Sequence, residues 1–327
     1  MSKAKDILKK ILPPPVRSFM REMEALRQLT ERQTHLLGQG QQELQIAVKH
    51  LLEEQQKQAE LLRQGNADEM AQIQEVRTAL QQMEKEQKHL SAIAEEISRR
   101  SMDAARYASE SVWAEIFNNT ITGSCWLTNT AFSPGRWAIR YPVLYVMYRI
   151  LNEARPKRIL ELGLGQSTRM IAQYAAAHEG VTHQVVEHDL EWISFFQNDF
   201  QLPSNSKIVQ LDREMVPYQE AEAVRVFTNF RETFSGQKFD FIFIDAPLGG
   251  DMKQYARIDV LGLLPECLSE NFVIMIDDAN RIGEKRTIAE IQKRLDEAGI
   301  LYKCGRYSGR KDTVVIAARS REFLTTM

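Results

Sequence analysis

Carboxylates recur in this chain at the ends of short apolar runs. RILEL carries Glu161 and runs into Gly163 and Gly165; HQVVE closes on Glu187, and KIVQL is followed by Asp212. FDFIFI leads into Asp245, and FVIMI into Asp277-Asp278-Ala279-Asn280. Acids in such places can bind a cationic or hydroxyl-bearing ligand, take a proton, or ligate a hard cation. Gly163 and Gly165 let backbone approach a ligand, and the helix that follows from Ser167 offers N–H groups and a partial positive charge. A dinucleotide loop wants a third glycine where Thr168 stands, and the Gly-Lys-Ser/Thr of a P-loop is absent. Glu161 would repel a pyrophosphate but suits a ligand with an ammonium group. Glu187 lies 24 residues beyond Gly163, where an acid can take both hydroxyls of a ribose. Asp212 falls within reach of an adenine amino group.

These acids need strands to carry them. Residues 156–319 alternate strand and helix: RILEL, a helix, HQVVE, a helix around Trp192, KIVQL, a helical stretch, FDFIFID, a helix, FVIMID, a helix, LYKCGRY and TVVIAA. That order predicts an α/β fold, a mostly parallel doubly wound Rossmann-like sheet. The tight turn Ser308–Asp312 makes the last two strands pair antiparallel at one edge. Phe227, Phe230 and Phe234 recur at helical spacing and read as core.

The rest of the chain is built differently. Residues 18–112 are rich in Gln, Glu, Leu and Ala and contain no proline. Val76, Met83, Leu90 and Ile97 recur every seven residues, alternating with Ile73, Leu80, Gln87 and Ala94, which is coiled-coil spacing. A continuous helix of this length would span ~140 Å, with weak points at Gly38, Gly40 and Gly65-Asn66. A polar helix of that length needs a partner, so the pattern predicts a homo-oligomer, dimer or trimer. Before it, residues 1–17 form a basic amphipathic segment ended by Pro13–Pro15, suited to an anionic membrane surface or a docking partner. The domain layout is then 1–17 basic segment, 18–112 coiled coil, 113–155 linker, lid and first catalytic helix, 156–319 catalytic sheet, and 320–327 tail.

A net charge of −2 argues against a general nucleic-acid binder. Cys125, Cys267 and Cys304 are too few and too scattered for a disulfide framework or a zinc site, which predicts a reducing cytoplasm.

ELGLG, VVEHD, QLD and FDFIFIDAP, in this order and spacing, resemble the motifs of class I S-adenosylmethionine-dependent methyltransferases. The likeness runs from Arg158 to Ala318. It implies that Glu161, Gly163, Gly165 and Glu187 bind S-adenosylmethionine, with Gln166, Ser167 and Asp212 as further contacts. Methyl transfer to an alcohol needs an aligned acceptor and a base for its proton, or a cation that acidifies it. Asp245 and Asp278 are the candidate bases. The layout is similar to the catechol O-methyltransferase-like families, which bind a metal through an Asp after strand four and an Asp-Asn pair after strand five. By that likeness Asp245, Asp278 and Asn280 would hold Mg²⁺ or Mn²⁺, although Ala279 interrupts the pair here.

Asp245-Ala-Pro-x-Gly, and Asp278 followed by Arg281, Glu284 and Lys285, resemble the plant glucuronoxylan 4-O-methyltransferases. The joined coiled coil is similar in layout to bacterial enzymes that cap cell-surface polysaccharides. These likenesses imply a glycan acceptor, with Arg136, Trp137 and Tyr141 as a lid against the sugar. They place the enzyme in the cytoplasm, against the inner face of the plasma membrane or a glycosyltransferase. A small-molecule or lipid acceptor, and a scaffold with an inactive sheet domain, stay open at this stage.

Overall fold

The computed structural model describes residues 14–61, 67–132 and 138–327. The basic segment's first thirteen residues, Gly65-Asn66, and Arg136 and Trp137 lie outside the described residues. The chain divides into two compact units, Met1–Ala108 and Ser109–Met327.

The first unit is helical. It consists of helices α1 (Pro14–Leu61) and α2 (Ala67–Ile121), on either side of the residues that include the expected weak point Gly65-Asn66. The two run antiparallel, with Thr30 bonded to Ser101, Gln41 to Ser91, and Gln55 to the Ile73 carbonyl. Their seam is mostly polar. Val48 and Leu80 are its buried apolar residues among those described, while Val76, Met83, Leu90 and Ile97 stay exposed.

In the second unit, the end of α2 packs Phe117 against the core, and Trp113 donates to the Ser308 carbonyl. Helix α3 (Tyr141–Arg149) opens with Pro142 in its first turn, where a missing N–H costs nothing, and passes into a π-turn at Ile150–Ala154. Then follow β1 (Arg158–Leu162), α4 (Gln166–Ala177), β2 (Thr182–Glu187), α5 (Leu190–Asp199) and β3 (Ser206–Gln210). The helical stretch expected next is instead a β-hairpin, β4 (Arg213–Tyr218) and β5 (Ala221–Phe227), followed by the short α6 (Phe230–Phe234). After β6 (Phe239–Ile244) a loop and a 3₁₀ turn, Asp259–Leu263, stand where a regular helix was expected. The series ends with β7 (Leu268–Ile276), α7 (Ile282–Glu297), β8 (Tyr302–Ser308) and β9 (Asp312–Ala318).

Seven strands form one sheet in the order β3-β2-β1-β6-β7-β9-β8. The order reverses between β1 and β6, the position where doubly wound sheets place their ligands. Strands β3, β2, β1, β6 and β7 are parallel; β9 runs against β7 and β8, so the antiparallel strand lies one in from the edge. Alternate residues feed two apolar layers, as the pleat dictates. Leu160, Leu162, Ile242 and Ile244 pack on Phe227, Phe230 and Phe234, while Ile159, Phe241 and Phe243 pack on α3. In the tail, residues 320–327, Leu324 is fully buried and its carbonyl accepts from the Tyr307 hydroxyl.

Candidate functional site

At the carboxyl end of β1 the chain turns sharply. Gly163 has φ +106°, which L side chains rarely adopt, and a Cβ there would meet the Ala246 Cβ at 3.1 Å. Its N–H bonds the Val186 carbonyl at 3.0 Å, tying the bend to β2. Gly165 is extended; a Cβ there would meet nothing within 4 Å, so its missing side chain leaves the space beside the start of α4 free. Gln166 opens that helix with its Oε1 buried and unpartnered, and Ser167 behind it is buried.

Glu187 is shared between the end of β2 and this bend. One carboxylate oxygen accepts from the Leu164 N–H at 3.2 Å; the other accepts from the N–H groups of His188 and Asp189 at 2.7 and 3.1 Å. His188 also sets its Nδ1 2.7 Å from Glu187. Trp192 on α5 donates its indole N–H to the Leu164 carbonyl at 2.7 Å. The Leu164 peptide is therefore held on both sides. No pattern in the sequence pointed to Trp192, because its partner is a backbone carbonyl 28 residues away.

Glu161 is fully buried, with one oxygen 2.9 Å from His183 Nε2. His183 in turn reaches the Ser206 hydroxyl through Nδ1 at 3.2 Å, so β1, β2 and β3 share one polar line. The second oxygen of Glu161 is without a hydrogen-bond partner. Asp212 is exposed at the junction of β3 and β4, where its side chain accepts from Gln210 and its carbonyl from Thr228. No bond joins it to the glycine bend.

Beyond the ends of β6 and β7 lies a buried charged cluster. Asp245, Asp277 and Asp278 bring carboxylate oxygens within 4.8 Å of one another. Arg257, 3% exposed, places Nη2 3.0 Å from Asp245 and 2.9 Å from Asp278. Its Nη1 donates to the Asp277 carbonyl at 3.0 Å, and its Nε lies 3.7 Å from the fully buried Glu284. Lys311, from the turn between β8 and β9, reaches Asp278 at 3.1 Å, and Arg281 reaches it at 2.8 Å. Burial opposes ionisation of Asp278, but Arg257, Lys311 and Arg281 outweigh it and hold its carboxyl below the usual range. Burial pushes Asp245 up to about 7; repulsion from Asp277 and Asp278 adds to the rise, and Arg257 opposes it. Burial and the neighbouring Asp278 raise Asp277 as well. Four carboxyls thus face three cations.

Of the expected metal set, Asp245 and Asp278 come together, with Asp277 beside them, but Asn280 does not join them. Asn280 turns its amide oxygen to the Asp312 N–H rather than to Asp245, because the β8–β9 turn crosses beside it. Guanidinium and ammonium groups already take the facing oxygens of Asp245 and Asp278. These residues do not fit a divalent ion in company with Arg257. Arg257 itself comes from a loop twelve residues past Asp245, with no motif to announce it.

Of the expected lid residues Arg136, Trp137 and Tyr141, only Tyr141 is among those described. Tyr141 donates its N–H to Glu110 and packs its ring 6.2 Å from Phe117. Trp126 is buried and stacked on Tyr148.

No family model matches the chain, and no curated protein does. Among solved structures it is similar to the O-methyltransferase TomG from Streptomyces achromogenes, solved in complex with S-adenosylmethionine. That pair shares 11% identity at a TM-score of 0.42, covering 64% of this chain and 98% of the other. An S-adenosylhomocysteine-bound methyltransferase from Podospora anserina shares 15% identity at 0.39, covering 63% and 87%. An O-methyltransferase from Bacillus cereus, also with S-adenosylhomocysteine, shares 13% at 0.38, covering 65% and 91%.

Proposed function

We propose that this chain is an S-adenosylmethionine-dependent O-methyltransferase. The observation that carries the reading is the shared position of Glu187 and the Gly163–Gly165 bend at the point where strand order reverses, with Asp245 ending the next strand. A dry carboxylate braced by three backbone N–H groups suits the hydroxyl pair of a ribose. The unpartnered oxygens of Glu161 and Gln166 suit the polar amino-acid end of the same molecule. The bound cofactor supplies an electrophilic methyl group.

Asp245 is the base in this reading and Asp278 its neighbour in the framework. Its side chain is 21% exposed, whereas that of Asp278 is 4% exposed and tied to three cations. A carboxylate titrating at about 7 accepts an alcohol proton better than one held low. Leaving as a methyl ether, the acceptor oxygen passes its proton to Asp245.

For the acceptor we favour a sugar hydroxyl of a cell-surface polysaccharide or lipid-linked glycan. Support comes from the Asp278, Arg281 and Glu284 pattern: Asp278 and Glu284 face Arg257, which pairs with Asp245, and Arg281 pairs with both acids. The basic residues at 3–21 support a peripheral place at a membrane, and no described helix is long and apolar enough to cross one. The test is transfer of a labelled methyl group from S-adenosylmethionine to uronic-acid oligosaccharides and, in parallel, to simple phenols. Labelled methyl ether on the sugar supports the reading, and label on the phenols alone contradicts the glycan assignment.

A further inference from the structure

Arg257 sits where a catalytic metal would have to sit. A divalent ion held by Asp245 and Asp278 together must lie roughly 2.0–2.6 Å from an oxygen of each. Arg257 Nη2 already lies within hydrogen-bond distance of both oxygens, at 3.0 and 2.9 Å. The remaining oxygen of Asp278 faces the Lys311 ammonium at 3.1 Å. The side chain is delivered from a backbone position with φ +59°, an uncommon conformation for a residue with a Cβ. Three further groups fix its orientation: the carbonyls of Asp277 and Pro247, and the Glu284 carboxyl beneath it. Glu284 has no hydrogen-bond partner, so Arg257 and Arg281 are its charge compensation. Without the guanidinium, three acids would face one another with oxygens within 4.8 Å, and the buried Asp277 Oδ2 has no hydrogen-bond partner.

We propose that Arg257 is the resident cation of this acid cluster. It fills the place between Asp245 and Asp278 that a divalent ion would need, so the chain works without one and gains a metal site only when Arg257 is removed. The inference rests on the proposed methyl transfer for the purpose of the cluster, not for the identity of its cation. Arg257 is a positioning residue: it is buried, and it acts on the acceptor through Asp245.

The experiment is Mn²⁺ binding to the full-length chain, followed by electron paramagnetic resonance and by thermal melting. Wild type and Arg257→Lys are expected to bind no Mn²⁺ at the cluster. Arg257→Ala is expected to bind one equivalent at a concentration at least tenfold below any at which wild type takes it up, and to melt at a higher temperature when Mn²⁺ is added. A folded Arg257→Ala that binds Mn²⁺ no better than wild type overturns the proposal. So does wild-type protein that binds one equivalent and loses it in Asp245→Asn. Should Arg257→Ala fail to fold, this wild-type comparison decides alone, and no Asp245-dependent binding upholds the assignment. Titration of the wild-type sample with S-adenosylmethionine reads the methyltransferase proposal separately. No cofactor binding beside the expected Mn²⁺ pattern sinks that proposal and leaves Arg257 in place.

Discussion

Two adjacent strand ends carry acids with opposite tuning. Asp278 is bound by three cations and stays ionised, while burial moves Asp245 to about 7. A group raised in this way is protonated below that pH and cannot accept a proton there. Turnover should therefore rise as pH increases through about 7 and level off above it. Asp245→Asn should cost ~10²–10⁴-fold in kcat and remove that rise. Steady-state rates between pH 5.5 and 9 check both; an unchanged rise in the Asn variant would move the base elsewhere. The acids were legible because each lies within two residues of the end of its own strand, so chain order alone delivers it to the sheet end. Their partners were not. Arg257, Lys311 and His183 meet Asp245, Asp278 and Glu161 only through loop crossings and strand pairing, which leave no local spacing to read.

At the scale of elements, apolar periodicity identified β1, β2, β3, β6 and β7 and the helices after the first, second and fifth of them. The β4–β5 hairpin escaped because its turn uses Gln219 at φ +50° and Glu220, with none of the Gly, Asn or Asp that mark such turns. The two heptad stripes differ in burial. Ile73, Leu80, Gln87 and Ala94 face α1 in the antiparallel pair, and the other stripe is left bare. Leu90 is 60% and Ile97 57% exposed. A hairpin whose described seam buries little beyond Val48 and Leu80 is poorly stabilised alone. We therefore propose that a second copy covers the stripe of Val76, Met83, Leu90 and Ile97. Light scattering should give a multiple of the 37.7 kDa chain mass. Leu90→Glu with Ile97→Glu should lower it to one chain while the far-ultraviolet helical signal persists. A monomeric wild type would refute the pairing.

For the molecule as a whole, a helical unit is joined to a sheet domain whose proposed cofactor crevice lies where strand order reverses. Everything chemical proposed for it depends on that crevice binding a sulfonium cofactor. Glu187 is the side chain on which this depends most, since its carboxylate joins β2 to the glycine bend and leaves lone pairs for the sugar. Loss of a charged hydrogen-bonding partner costs about 1.5–3 kcal/mol, or roughly 10–150-fold in affinity. The direct measurement is calorimetric titration of wild type and Glu187→Ala with S-adenosylhomocysteine. The account predicts one site per chain in the wild type and binding weakened by that factor in the variant. Heat-silent titrations with no thermal stabilisation of the wild type, or equal affinity in a folded Glu187→Ala, would contradict it.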